Sequence, residues 1–448
     1  MTLQAVSLSR PRRLPLLGAA ALLALLGACD REVILQGERL DPRAVISPDA
    51  NVEGEATPTT AALSLPAVQG NADWTHRAGS PAHVSGNQAL AGGTSRIWSA
   101  AIGEPIGLRH RITADPIVAG GLVFTLDSRA RVTATTTGGA TVWSTDVTPP
   151  MERDDSVSGG GLAFDGGRIF VTTEHGQLVA LDPRSGGVLW RQRFDAPVSG
   201  APTVSGGRVY VTARDATGWA VDAADGKLLW NVQGTRDIAG WMGVSAPAVA
   251  GDLVVFPFAS GQLLGADAGS GQLRWSANVA GSRPGRAIAV IRDMTGDPVI
   301  TGDRVIAGTS SGTIAAFDRA TGVQLWRSRD GAMNPPLVVG NSIFAVSDEG
   351  SLIRLDAANG AKVWEVALPQ FTETRPRRQD RVVAHYGPVL AGSRLYVASS
   401  DGLLRVFDPG SGGLIGQGDI PGGAGTAPVV AGQTLYVTGR DGQLHAFR

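Results

Sequence analysis

A single cysteine, Cys29, stands among 448 residues. No intramolecular disulfide can form, even in an oxidising compartment, so the core holds by packing alone. Charge of neither sign prevails: 39 Lys and Arg against 40 Asp and Glu leave a net charge of -1. That excludes the strongly basic balance of a nucleic-acid binder, although not local basic patches. The six histidines, at 76, 83, 110, 175, 385 and 445, show no close metal-ligand spacing beyond the loose pair His76 and His83, so no metal is expected. No P-loop, Rossmann fingerprint or serine elbow sits in a strand-to-helix setting, and no catalytic residue is assigned. Long apolar runs are missing too. The longest, LPLLGAAALLALLGA, is shorter than the roughly 20 residues a helix needs to cross a bilayer.

That run has another reading. Arg10, Arg12 and Arg13 precede it, and Leu26-Gly27-Ala28-Cys29 follows. A positive stretch, a short apolar stretch and small residues before a cysteine make a bacterial lipoprotein signal, with Cys29 as the lipidated residue. Residues 1–28 are then the signal peptide. Residues 29–72, rich in Ala, Pro, Thr and small polar residues without a sustained period, read as a lipid-anchored flexible tether. Residues 73–448 form the folded part. A multi-chain lipid anchor exceeds the two signals that stable membrane attachment requires.

What the chain has in abundance is glycine, 61 residues, with 26 prolines. They punctuate a repeat. Its copies align on a closing tryptophan: Trp98, Trp143, Trp190, Trp230, Trp275, Trp326 and Trp364, with Gly416 in that place in a further copy. The intervals are 45, 47, 40, 45, 51, 38 and 52 residues. Inside each copy, short β-rich runs such as GRVYVTA, WAVD and LLW are separated by turn signals. The period and the strands predict an all-β protein, an eight-bladed β-propeller with four antiparallel strands per blade. The last copy stops at Arg448 before its closing strand, and one closing-strand pattern lacks its own preceding repeat: SRIWSA, residues 95–100. That N-terminal strand around Trp98 is expected to complete the C-terminal blade and seal the ring, which removes open edges.

The stretches ALDPRSGGVLW, AVDAADGKLLW and AFDRATGVQLW carry the pattern A-x-D-x-x-x-G-x-x-x-W. It resembles the tryptophan-docking repeat of the PQQ-like propellers. Asp anchors the turn by side-chain-to-backbone bonds, Gly permits the reversal, and the seven tryptophans are expected to dock blade on blade rather than to bind a ligand. Two functions share this repeat. Quinoprotein dehydrogenases hold pyrroloquinoline quinone on the propeller axis with calcium, and many stack it on a disulfide of adjacent cysteines. This chain has no vicinal cysteine pair and no convincing calcium cluster, so no cofactor is expected. The combination of lipobox, tether and eight blades resembles instead the BamB family of outer-membrane assembly lipoproteins.

That resemblance implies a non-catalytic scaffold of the β-barrel assembly (BAM) complex. It would bind a periplasmic POTRA domain of BamA, and other BAM subunits, as one copy within the complex. No nucleic acid or small-molecule substrate is implied. The location implied is the periplasmic face of the outer membrane, although Asp30 beside the cysteine resembles an inner-membrane retention signal. Two family contact loops map onto this sequence. In IAGWMGVSAP, Trp241 and Met242 fall at the apolar and basic contact positions, Met242 standing where the family carries Arg. In RDMTGDP, Asp293 matches the first of two acids, Thr295 replaces the second, and Asp297 precedes Pro298. An alternative is a ligand sensor or a scaffold of another envelope complex.

The longer intervals carry their extra residues between a closing tryptophan and the next opening strand. Such links emerge on one face of a propeller, and long loops on a rigid scaffold are where binding concentrates. One of them carries Arg375, Arg377, Arg378 and Arg381. The anchor gives the first testable expectation. Cys29→Ser releases the protein from membranes or leaves its precursor unprocessed; palmitate labelling and fractionation identical to the parent protein refute the lipobox.

Overall fold

The inner three strands of each repeat are buried along most of their length. In the second blade Gln177–Leu181 is buried at every position, whereas Val188–Arg193, the outermost strand, is largely exposed. The difference is geometric. Near the axis both faces of a strand are covered by neighbouring blades, while at the rim the blades splay apart. Val, Ile, Leu, Phe and Ala therefore run almost unbroken through the inner strands, and strict alternation is lost.

The computed structural model describes residues 60–448 other than 151, 153–158, 238–244, 280, 282–292, 374, 376, 378 and 380. It contains eight four-stranded antiparallel sheets. Blades one to seven span Ile117–Asp146, Gly160–Arg193, Thr203–Gln233, Ala248–Asn278, Gly296–Ser328, Leu337–Ala367 and His385–Asp419. In each, the strands follow in sequence from the axis outwards. Blade eight takes three strands from Val429–Phe447, and its outermost strand is Arg96–Ala101. Trp98 pairs with Ala446 and Ala100 with Leu444. The ring closes as the sequence predicts.

Each outermost strand shifts register against its neighbour at one point, and the shift recurs in all eight blades. In blade two Val188 faces Leu181 and Trp190 faces Ala180, so Leu189 is an extra residue. This is a β-bulge. It puts two successive apolar side chains outside, Val188 and Leu189, and turns the next, Trp190, toward the following blade.

There the indole N–H donates to a carbonyl in the turn joining the third and fourth strands of the following blade. The acceptors are Thr137, Pro183, Ala223, Gly269, Arg319, Ala357 and Pro409 for Trp98 through Trp364 in order, at 2.9–3.2 Å. The ring lies on the glycine of that same turn. A Cβ on Gly360 would stand 2.4 Å from Trp326 Cε3, and Gly360 has φ +75°. The turn is held by its aspartate. Asp267 Oδ1 accepts from the Gly269 and Ser270 N–H groups and the Ser270 hydroxyl. The backbone and side-chain bonds from Ser270, with Arg274 beside them, lower its carboxyl to about 2. Within one repeat, then, the glycine serves the joint behind and the tryptophan the joint ahead.

The exception has the same cause. Blade eight has no turn between its third and fourth strands, because these come from opposite ends of the ring-forming segment. A tryptophan in blade seven would find no such turn carbonyl. Gly416 stands there, and two residues on Gly418 lies so close to Thr94 that a Cβ would sit 2.5 Å from its carbonyl oxygen. The joint is made instead by the incoming strand.

A substitution separates docking from turn strain. Gly360→Ala places a methyl against Trp326, which is expected to add about 1–3 kcal/mol to the left-handed backbone cost of its φ of +75°. Gly302→Ala has φ +54° but nothing within 4 Å, and should cost roughly 1–2 kcal/mol from the left-handed backbone alone. Denaturant unfolding of the two variants measures the difference; a Gly360→Ala loss no larger than that of Gly302→Ala refutes the docking role.

Candidate functional site: the girdled axis and the link face

Residues 71–91 contain no strand, yet they run once round the inner rim of the ring. Asn71 starts at blade eight: its Nδ2 donates to Val430 O at 2.6 Å and its carbonyl accepts from Gly432 N at 2.8 Å. Trp74 exchanges both backbone bonds with Val118 of blade one, at 2.7 and 2.8 Å. The Thr75 carbonyl accepts from Phe164 N of blade two at 2.8 Å. His76 Nε2 lies 3.1 Å from both N and O of Val204 in blade three. The Pro81 and Ala82 carbonyls take Val249 N of blade four at 2.7 Å and Ile300 N of blade five at 3.0 Å. Val84 packs into the cluster shared by blades five and six. Gln88 bonds Leu390 O and Gly392 N of blade seven, and Ala91 N reaches Gln433 O of blade eight at 3.1 Å. The chain then crosses outwards to become the outermost strand of blade eight.

This girdle meets the inner strands at or near the ends where they turn into the second strands. It gives partners to polar backbone groups that would otherwise line the channel. The approach is anchored from residue 60. Ala62 O accepts from Asn341 Nδ2 at 2.7 Å and from the buried Arg354 Nη2 at 3.2 Å, and Leu63 and Leu65 pack on the cluster of blades six and seven. The stretch 60–72 was expected to be loose tether; in the structure it is docked.

Inside the girdle, Arg77 Nε lies 2.7 Å from Asp297 Oδ2, the carboxylate being wholly buried. Asp115, whose Oδ1 accepts from Ala427 N, also faces this guanidinium. Burial pushes both carboxyls up, and Arg77 holds them back. Burial alone would lower Arg77; Asp297 and Asp115 keep it above its ordinary value. His76 and His83 go the other way. Burial, with His83 next to it, lowers His76 to about 3; burial lowers His83 to about 4, with Arg77 adding to the fall and the Pro298 carbonyl opposing it. Both imidazoles are therefore neutral at neutral pH and serve as hydrogen-bonding rim residues. Among the described residues no group of three His, Cys, Asp or Glu could hold a metal.

The opposite face carries the links between blades. Trp241 and Met242 fall, by sequence, between blades three and four and lie outside the described residues. Asp293 is described, and the structure differs from the expectation of a partner contact: it is 1% exposed. The residues after it explain why. Met294 is buried in the core between blades four and five, and Asp297 reaches the axis to pair with Arg77, so the acidic segment is drawn inwards. Arg375, Arg377 and Arg381 lie in the link between blades six and seven and are exposed, and Arg378 lies outside the described residues. The seven tryptophans stand at blade joints.

Sequence reading missed the girdle. A segment that pairs with a different blade at almost every step has no period. Its signal was local: one Trp, two His, two Asn and a Gln inside a stretch otherwise fit for a linker.

The neutral histidines make stability depend on pH. The unfolded imidazole titrates at about 6.5 and the folded ones near 3 and 4. The stability they permit is complete above 6.5 and is lost as pH falls from 6.5 toward those values, because only the unfolded chain gains protons there. The melting temperature should drop between pH 7 and pH 4.5. His76→Gln, which keeps a polar side chain without the titration, should flatten the drop; an unchanged slope counts against the assignment.

Comparison with known proteins bears on the whole ring. A family model described as outer membrane protein assembly factor BamB matches residues 128–366 and 368–448. Outer membrane protein assembly factor BamB of Shigella dysenteriae serotype 1 is 32% identical over 241 residues, 53% of this chain and 61% of that protein. The Escherichia coli K12 protein of the same name is 31% identical over the same shares. The match thus spans less than two thirds of these relatives' length. Among solved structures, BamB from Moraxella catarrhalis superposes with a TM-score of 0.65 at 20% identity, covering 79% of this chain and 99% of that one. A quinohemoprotein alcohol dehydrogenase from Comamonas testosteroni gives 0.63 at 14% identity, covering 84% and 80%. At such identities the structural likenesses show the fold alone.

Proposed function

Since the chain belongs to the family of the outer membrane protein assembly factor BamB, we propose that it is a non-catalytic scaffold lipoprotein of the β-barrel assembly machinery. In this reading Cys29 carries the lipid, and the protein sits on the periplasmic face of the outer membrane. It binds a POTRA domain of BamA through the link face and assists insertion of β-barrel proteins. The observation that carries the scaffold reading is the girdle. Residues 71–91 occupy the rim of the axial channel and tie seven of the eight blades by hydrogen bonds, which makes the ring a rigid platform.

On that platform the binding energy is expected to concentrate in a few aromatic or Arg residues. Trp241 is the apolar anchor, with Met242 beside it. The contact proposed does not include Asp293, which is buried. The second reading, a quinone-dependent dehydrogenase, is favoured only by shared fold with distant enzymes.

The test is the double variant Trp241→Ala with Met242→Glu. Copurification of BamA from detergent-solubilised membranes should fall at least about tenfold, as for loss of a hot spot worth roughly 2 kcal/mol, while melting temperature and lipidation stay unchanged. Full BamA recovery removes this loop assignment. Dye reduction dependent on added quinone and calcium overturns the scaffold reading itself.

A further inference from the structure

The link that leads from the sealing strand of blade eight into blade one, residues 102–116, holds out an apolar side chain. Leu108 is 99% exposed, more than any other large apolar residue described. Single exposed apolar residues are common; this one is fixed in place. On one side of it Ile106 packs on the core shared by blades seven, eight and one, and its N–H donates to the Arg440 carbonyl at 2.8 Å. On the other side Ile112 is buried in the same core. Between them Gly107 N donates to the His110 carbonyl at 2.9 Å, and Arg111 Nη1 donates to the Gly107 carbonyl at 3.2 Å. Both feet of the turn are pinned, which keeps Leu108 and Arg109 at its tip.

Arginines surround the tip. Arg109 and Arg111 flank it, and Arg440 comes from the turn between the second and third strands of blade eight, on the same face; all three are exposed. The half-buried Tyr386, at the start of the inner strand of blade seven, lies within the field of two of them. Burial pushes its phenol up, Arg440 and Arg111 hold it back, and Asp115 adds to the rise. Among the described residues no carboxylate pairs with Arg109 or Arg440. Asp115 and Asp127 are engaged inwards, the first by Ala427 N and Arg77, the second by the amides of Glu104, Arg129 and Arg131. Glu104 and Asp441 are exposed, and Asp441 Oδ1 lies 3.8 Å from His445 Nε2.

Tyr and Arg are the residues in which interface energy concentrates. A guanidinium fork matches a carboxylate two bonds at a time. A membrane surface is negative too, but the described chain enters from residue 60 on the girdle side, against the turn of blade six, whereas this tip stands on the opposite face. The complement that remains is an acidic polypeptide.

We propose that the tip of this link, with Arg440 and Tyr386 beside it, is a docking surface for an acidic segment of a protein partner, whose carboxylates pair with Arg109, Arg111 and Arg440 while an apolar side chain covers Leu108. The surface is independent of Trp241, which falls in sequence between blades three and four, so both can be occupied at once.

The probe is a labelled peptide of about twelve residues in which pairs of glutamates alternate with leucine, titrated by fluorescence anisotropy against the full-length protein in a non-ionic detergent. Saturable binding is expected at roughly 10–100 μM, weakening as salt rises. A peptide with glutamine for every glutamate should bind at least about tenfold more weakly. Leu108→Ser should weaken binding at least about fivefold, and Arg109→Ser with Arg440→Ser at least about tenfold, with melting temperatures unchanged. Trp241→Ala should bind like the parent protein, so failure of that loop assignment leaves this result untouched. Arg375→Ser with Arg377→Ser removes equal charge from another link and should cost less than about twofold. The proposal is overturned by absence of saturable binding, by an unaffected Leu108→Ser protein, or by an equal loss in the Arg375 and Arg377 variant, which means charge alone. It is also overturned if replacing about a fifth of the detergent by phosphatidylglycerol displaces the peptide tenfold or more, which makes the surface a lipid site.

Discussion

Each blade is fastened to the next by an indole laid on a glycine, its N–H given to the carbonyl of the same turn. Seven joints repeat this contact, and much else in the ring follows from it. The glycine must lack a side chain because the ring occupies that volume; the Gly186, Gly226, Gly271, Gly322 and Gly360 positions all leave less than 3.0 Å between a Cβ and the tryptophan above. The aspartate must hold the turn so that the carbonyl stays aimed. The bulge in the outermost strand must precede the tryptophan, since it redirects that side chain while leaving its apolar neighbours outside. A local requirement of one joint therefore dictates spacing, turn chemistry and strand irregularity across a whole repeat.

The seam shows the rule by its one departure. Where the acceptor turn is absent, the tryptophan is absent as well, and Thr94 comes in against Gly418. Ser95 and Arg448 exchange backbone bonds at 3.0 and 3.2 Å, so the strand that seals blade eight is paired from its first residue. Gly416 is thus explained by topology. A degenerate repeat and a closed ring are two views of one constraint.

The ring was legible in the sequence because it repeats. Seven tryptophans, the aspartate-to-glycine spacing and the orphan strand SRIWSA each report a contact that recurs at a fixed interval. The axis was not legible. Asn71, Trp74, Thr75, His76, Pro81, Ala82 and Gln88 each meet a different strand, and several do so through a single backbone bond. No propensity or period marks such a path. Asp293 was misplaced for a related reason. Its position in a long link suggested surface, but burial there is decided by where Met294 and Asp297 go, and Asp297 is drawn to an arginine 220 residues away in sequence. Long-range pairing of that kind leaves no local trace.

The girdle also makes the two faces unequal. Its bonds sit toward the ends of the inner strands where the first turns begin, and the segment from residue 60 docks on that side, against Asn341 in the turn of blade six. The links between blades leave from the other side. One face is thus committed to holding the ring and the incoming chain, while the other keeps its long, irregular loops free of that duty. A closed ring of similar blades is close to symmetric by itself and offers a partner eight nearly equivalent approaches. A non-repeating segment threaded through its axis breaks that equivalence from within.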